Sequence, residues 1–170
     1  MKKEIEIKLK IDNLAKLIKK LKTLNVRWGS CYSQKTVGFF SENSIEKGIF
    51  PRIRNEKGNT VLTVKIRTKK KSKYFERKEY SVRLSNLKDG INILKTLGFN
   101  KVRIFKKIRQ EIKYKKLKLA LDKLYFGNFL EIEGYKKDVK EMAEKLGFQE
   151  KDWITKAYLG LEDDYLKNKK

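Results

Sequence analysis

Two pairs of carboxylates, each pair split by one residue, lie near opposite ends of this 170-residue chain: Glu4 with Glu6, and Glu131 with Glu133. Residues two apart share one side of a β-strand, so each pair points the same way. Paired carboxylate oxygens suit a hard divalent cation such as Mg²⁺, Mn²⁺ or Ca²⁺. Basic residues recur at the same spacing, in Arg52 with Arg54 and Lys107 with Arg109, and Lys8 follows Glu6 on the same side. Lys65, Arg77, Glu79 and Asp122 fall on similar alternating stretches. Cationic side chains grip phosphate oxygens through charge-assisted hydrogen bonds. Acids that hold a metal, bases that hold phosphate and a metal that bridges to the phosphates together fit a bound polyphosphate.

The residues that are missing narrow the chemistry further. There is no histidine and a single cysteine, Cys31. A zinc site and a Ser-His or Cys-His nucleophile system therefore lack their defining groups. One cysteine also rules out an internal disulfide framework and fits a cytoplasmic setting. The formal charge of +23 calls for an anionic partner. Nucleic acid is the default partner of a basic protein. Here the lysines are spread along the whole chain, and that also fits a general enrichment of surface lysine. No long apolar run suggests a membrane span, and a strand at the outset leaves no room for a signal peptide.

The positioning elements follow from periodicity. The first strand covers Glu4 to Ile11, with Ile5, Ile7, Leu9 and Ile11 opposite the charges. Asp12 or Asn13 caps a helix striped by Leu14, Leu17, Ile18, Leu21 and Leu24. Val26 to Phe40 is extended, and Ser41 to Gly48 is a polar loop. Strands at Ile49–Arg54 and Thr60–Thr68 flank a turn at Asn55–Asn59. Another strand runs from Tyr74 to Leu84. A second helix carries Leu87, Ile91, Leu94 and Leu97 and stops at Gly98. Val102–Lys113, Leu119–Leu124 and the strand holding Glu131 and Glu133 follow. A third helix carries Val139, Met142, Ala143 and Leu146, and a partly apolar tail from Trp153 packs back on the domain. Leu21–Val26 echoes Leu94–Phe99, which suggests two related halves of one sheet system and a single domain over residues 1–170.

Three amphipathic helices and about eight alternating strands can bury all their apolar faces if the helices cover the outside of the sheet. Closing that sheet as an antiparallel barrel turns the charged side into a lumen. The expected fold is thus α+β: an eight-stranded antiparallel closed β-barrel, or tunnel, with a charged lumen and helices outside. Glu4, Glu6, Lys8, Arg52, Arg54, Lys65, Arg77, Glu79, Lys107, Arg109, Asp122, Glu131 and Glu133 would line it. A flat sheet with a solvated, mixed-charge face is the competing reading of the same pattern. A non-enzymatic alternative is a nucleic-acid or polyphosphate-binding module that uses Lys69–Lys73 and Lys115–Lys118, with Tyr74 and Tyr114 for stacking.

The motifs resemble those of the CYTH family, the triphosphate tunnel metalloenzymes. Glu4-Ile5-Glu6-Ile7-Lys8 is similar to its E-x-E-x-K, Arg52-Ile53-Arg54 to its R-x-R and Leu62-Thr63-Val64-Lys65 to its L-T-x-K. Arg77-Lys78-Glu79, Lys107-Ile108-Arg109, Leu121-Asp122 and Gly127 to Glu133 resemble its later motifs in order. The resemblance implies an eight-stranded tunnel acting on a triphosphate with Mg²⁺ or Mn²⁺. It implies metal ligands at Glu4, Glu6, Asp122, Glu131 and Glu133, and phosphate contacts at Lys8, Arg52, Arg54, Lys65, Arg77, Lys107 and Arg109. Glu4, Glu6, Lys8, Glu131 and Glu133 form the implied catalytic set. Glu79 joins the tunnel lining, and Lys156 is placed on a closing element. The chain departs from the family pattern at Thr36 and Gly38, where relatives often carry Asp and Tyr, and at Ser81, where a second acid is common. The overall layout looks most like the class IV adenylyl cyclase branch, which turns ATP into cyclic AMP and pyrophosphate. Hydrolysis of inorganic or thiamine triphosphate is the alternative. The oligomeric state is open, and a homodimer is compatible with the sequence.

Overall fold

A computed structural model describes residues 2–56, 58–68 and 72–169. Lys57 in the expected hairpin turn, and Lys69 to Lys71 in the expected basic loop, lie outside the described residues. The elements in chain order are β1 (Lys2–Ile11), α1 (Leu14–Thr23), β2 (Arg27–Phe40), α2 (Ser44–Lys47), β3 (Ile49–Glu56), β4 (Asn59–Arg67), β5 (Phe75–Arg83), α3 (Leu87–Thr96), β6 (Lys101–Tyr114), β7 (Leu117–Leu124), β8 (Gly127–Glu133), α4 (Lys136–Lys145), a 3-10 turn (Glu150–Asp152) and α5 (Tyr158–Lys167). The eight strands form one antiparallel ring in the order β1-β5-β4-β3-β2-β6-β7-β8. The chain is therefore α+β, as its alternation predicts. The expected polar loop at Ser41–Gly48 contains the one-turn helix α2, which is too short to carry a readable stripe.

Two compact units make up the chain, each assembled from separated segments. The first takes Met1–Glu4, Tyr32–Lys70 and Glu76–Lys106. The second takes Ile5–Cys31, Lys71–Phe75 and Lys107–Lys170.

In the second unit, α1 and α4 lay their stripes on the apolar strand faces. Ile7, Leu9, Leu17, Leu21, Ile112, Leu119, Leu130, Ile132, Val139 and Met142 are all buried in this core. Asn13 caps α1, its side-chain oxygen accepting from the Lys16 N–H at 2.9 Å. Asn25 then ends the helix with φ of 56°, a left-handed value that Asn tolerates.

The first unit has a smaller core of Phe39, Ile53 and Leu94, packed by Val37, Leu62, Leu84 and Ile91. Gly90 lets α3 approach the sheet closely, since a Cβ there would lie 2.4 Å from Leu84 Cδ1. The apolar side of this unit is only partly covered. Tyr80 and Val82 on β5, Leu87, Ile93 and Leu97 on α3, and Val102 and Ile104 on β6 are exposed. Alternation identifies an apolar face but does not say whether anything packs on it. Helix cover of every apolar strand face is thus an expectation that fails here.

Candidate active site

In the second unit, the register of β1, β8, β7 and β6 decides which charges meet. Lys8 stands opposite Glu131, and Arg109 stands opposite Asp122. Lys8 Nζ lies 2.5 Å from Glu6 Oε1 and 3.5 Å from Glu131 Oε1. Arg109 pairs with Glu131 through its other carboxylate oxygen. It also forms a fork onto Asp122, with Nε donating to Oδ1 at 2.7 Å and Nη2 donating to Oδ2 at 2.6 Å. Lys107 donates to Asp122 Oδ2 at 2.8 Å, and the Tyr158 hydroxyl donates to the same oxygen at 2.7 Å. Asp122 is fully buried, and Lys8 and Lys107 nearly so. Ala120, between Glu131 and Glu111 in the register, keeps the middle of this face low.

The electrostatics follow from burial and neighbours. Burial works to lower the pKa of the Arg109 guanidinium. The charge of Glu131 and the hydrogen bond and charge of Asp122 outweigh burial, so the pKa ends well above the usual arginine value. Burial pushes the Tyr158 phenol well above the usual tyrosine range, and the charges of Glu131 and Asp122 reinforce that. Tyr158 therefore keeps its proton and donates it in a hydrogen bond to Asp122 Oδ2.

In the first unit, Lys65 is the centre. It pairs with Glu4 and lies 3.4 Å from Glu79 Oε2, its partner across the β4–β5 register. Arg52 Nη2 sits 4.0 Å from Glu79 Oε1. Arg54 Nε donates to Thr36 Oγ1 at 3.3 Å, so one of the departing positions still supplies an oxygen. Ser81, another departure, donates to Glu79 Oε1 at 3.3 Å and meets Thr63 at 3.1 Å. Gly38 stands opposite Arg52 and offers that residue no side chain. The Arg77 guanidinium lies over the Phe50 ring, 5.6 Å from its centroid.

Of the residues singled out from sequence, Glu6, Lys8, Lys107, Arg109, Asp122 and Glu131 meet in the second unit. Glu4, Arg52, Lys65 and Glu79 meet in the first. Glu133 is opposite both Glu6 and Lys118 in the register, and Lys118 Nζ lies 3.8 Å from its Oε1. Lys156 lies elsewhere. It is half-exposed and held at 2.6 Å by both carboxylate oxygens of Asp164 on α5. Two participants were not visible in the sequence. Tyr158 is one. Phe75 is the other, with Lys8 Nζ 4.5 Å from its ring centroid. Neither had a local signal. Glu111 shares a face of β6 with Arg109, as the alternation of that strand indicates. In the alternative basic surface, Lys73 is held by Glu150 at 2.9 Å, and Lys115 lies over Tyr114.

Among the described residues no three acidic or cysteine side chains converge into a ready-made metal cage. Instead Glu6 and Glu133 face each other directly across β1 and β8. Like charges so placed are unfavourable unless a cation comes between them. Mg²⁺ is commonly held by one or two carboxylates together with substrate phosphates, and not by an all-protein cage. This donor set, oxygen only and acid-paired, fits that mode.

The profile of the CYTH domain matches residues 47–158. The chain belongs to the CYTH family. A candidate adenylate cyclase of Methanocaldococcus jannaschii is 30% identical over 175 residues, covering 93% of this chain and 97% of that protein. The solved PH1012 protein of Pyrococcus horikoshii aligns with a TM-score of 0.80 at 26% identity, over 93% of this chain and 98% of that one. A Hippeastrum protein, described as a candidate adenylyl cyclase with a dominant triphosphatase activity, shares the CYTH fold with a TM-score of 0.61 at 15% identity, over 91% of each chain. No helix among the described residues is long and apolar enough to cross a membrane.

Proposed function

We propose that this CYTH domain is a divalent-metal-dependent enzyme acting on a triphosphate, and specifically a class IV adenylyl cyclase that converts ATP to cyclic AMP and pyrophosphate. The observation that carries the reading is the interlocked set Glu6–Lys8–Glu131–Arg109–Asp122. Three cations, Lys8, Lys107 and Arg109, match three acids, Glu6, Asp122 and Glu131. A buried neutral set of this kind is ready to exchange partners: its cations turn to phosphate oxygens while its carboxylates turn to metal. The polar lumen, with residues 1–170 working as one domain, belongs to the same proposal.

Glu6, Glu131 and Glu133, with Glu4 on the same strand as Glu6, would hold Mg²⁺ or Mn²⁺. When bound, the metal supplies charge neutralisation on the phosphate oxygens. The protein's part is positioning and electrostatics, which dominate phosphoryl and nucleotidyl transfer. In the second unit Lys8, Lys107 and Arg109 would neutralise phosphate oxygens, and in the first unit Arg52, Arg54 and Lys65 are the proposed phosphate contacts. In the cyclase reaction the ribose 3′-hydroxyl attacks the α-phosphorus. The bond to the bridging oxygen breaks and pyrophosphate leaves. The hydroxyl proton passes to a carboxylate of the set.

A second reading is favoured by the described activity of the Hippeastrum neighbour: water attacks the terminal phosphorus and orthophosphate leaves. One experiment separates the two. ATP, tripolyphosphate and thiamine triphosphate are incubated separately with Mg²⁺ or Mn²⁺ and the products resolved. Cyclic AMP with pyrophosphate establishes the cyclase, and orthophosphate establishes the hydrolase. No turnover of any of the three overturns both.

A further inference from the structure

We propose that Tyr158 is a positioning residue for the phosphate-gripping cations: it fixes the Asp122 carboxylate, and Asp122 sets Lys107 and Arg109. The inference rests on the triphosphate reading above and adds a residue that its motifs do not contain.

The reasoning starts from the capacity of a carboxylate, about four lone-pair sites on its two oxygens. Asp122 accepts four hydrogen bonds, one on Oδ1 from Arg109 Nε and three on Oδ2 from Arg109 Nη2, Lys107 Nζ and the Tyr158 hydroxyl. A fully buried acid that meets so many donors, with Oδ2 the most crowded, is built to hold them in place. Its role is to organise cations, unlike that of Glu6, Glu131 and Glu133. Tyr158 is the one neutral donor of the four, and it keeps its place whether or not the cations turn to a ligand.

The phenol is itself firmly seated. Its ring packs edge-on against Phe129 at 5.5 Å. Lys107 Nζ lies 4.6 Å from the ring centroid and Lys8 Nζ lies 5.4 Å from it. The segment leading into α5 is pinned by a backbone bridge, with Lys8 N donating to Ile154 O at 3.1 Å and Ile154 N donating to Lys8 O at 2.9 Å. Trp153 packs on Tyr74 at 5.2 Å just before that bridge. Further along α5, Tyr165 meets Tyr125 at 5.9 Å, and Glu162 accepts from the Tyr125 hydroxyl at 2.9 Å. The C-terminal helix thus reaches the charged set through a single side chain held on several sides.

The test is Tyr158→Phe, which removes the hydroxyl and keeps the ring. Affinity for inorganic tripolyphosphate with Mg²⁺, read by calorimetry, should fall roughly tenfold, the scale of one hydrogen bond to a charged group. The thermal midpoint should move little, and KM should rise with kcat nearly steady. Asp122→Asn should weaken binding as well, and the double variant should be no worse than the worse single one, because the two act as a unit. If Asp122→Asn does not fold, Arg109→Lys replaces it in the cycle. Unchanged affinity in Tyr158→Phe, or losses that simply add, overturns the proposal. A wild-type protein that binds no tripolyphosphate overturns the triphosphate reading together with it, so the two failures are distinguishable.

Discussion

The two charged groups use the same residue types at different depths. In the second unit the side chains of Glu6, Lys8, Lys107, Arg109, Asp122 and Glu131 are at most 15% exposed. Glu131 and Asp122 each answer to more than one cation, mostly below 3 Å. In the first unit Lys65 has a tight partner in Glu4, both of them well buried, while its contact to Glu79 stretches to 3.4 Å and that of Arg52 to Glu79 reaches 4.0 Å. Arg52 and Glu79, the outer pair, are about one-fifth exposed there. Water removed from around a charge leaves its partner as the only compensation, so depth converts an ion pair into a fixed geometry. The deep group is preorganised, and the shallow group can turn to follow a ligand. Catalysis by electrostatics depends on the first property, and binding tolerates the second.

The largest effect that tests this contrast is on turnover. Glu131→Gln leaves the shape of the site but removes the charge that holds both Lys8 and Arg109. We expect kcat to fall about a thousandfold, or roughly 4 kcal/mol of barrier. Glu79→Gln, in the shallow group, should cost only about tenfold. Steady-state rates with the triphosphate that is turned over decide it. Equal losses would mean that depth makes no catalytic difference.

The same contrast should appear in stability. Asp122→Ala takes from Lys107 and Arg109 the buried carboxylate they share, a change that costs about 3–5 kcal/mol. Glu79→Ala leaves Lys65 with Glu4 and should cost about 1 kcal/mol. Urea unfolding of both variants measures the difference, and an Asp122→Ala midpoint close to wild type would remove the basis for calling that group preorganised.

What the sequence reveals and conceals follows the same division between local and distant. The alternation of Glu4 to Ile11 and of Gly127 to Glu133 is a property of one strand, and it places the Glu pairs on strand faces correctly. Asn13 caps α1 as its position suggests, because a cap is a contact within three residues, and Asn86 caps α3 in the same way. Tyr158 touches Asp122 from 36 positions away, and no short window holds both. Lys156, expected on a closing element, is a second case of a distant partner: Tyr158, two residues on, is buried, while Lys156 donates to Asp164 on α5. The uncovered apolar residues Val82, Val102 and Ile104 are a third case, since period shows which way a side chain points and not what meets it.

Arg54 offers a smaller and sharper probe of the shallow group. It is half-buried, and its Nε donates to the neutral Thr36 hydroxyl at 3.3 Å. Arg54→Ala should weaken triphosphate binding about tenfold, the scale of one charge-assisted contact. Thermal and urea midpoints should move less than in Asp122→Ala, because Arg54 is only half-buried. Equal loss of binding and of stability would assign Arg54 to the framework and erase the distinction drawn for its unit.

The smallest effect lies at the edge of the deep group, where the C-terminal segment is fastened to the chain before β5. Lys73 donates to both oxygens of Glu150, and Lys140 stands 3.8 Å away. The hydrogen bond and charge of Lys73 hold the Glu150 carboxyl below the usual carboxylate range, and the same partner raises Lys73. A folded-state pKa below the unfolded one means the acid binds its proton more weakly when folded. The pair's contribution is therefore present above the unfolded glutamate pKa, near 4.3, and is lost as pH falls through the lower folded value. Both side chains are well exposed, so salt screens the pair and the effect is slight. Thermal midpoints of wild type and Glu150→Gln should differ a little at neutral pH and low salt, and converge as pH drops below 4.3 or as salt rises. A difference that persists in acid would show that Glu150 holds the segment by packing, and the fastening of Ile154 and Tyr158 would then not depend on charge.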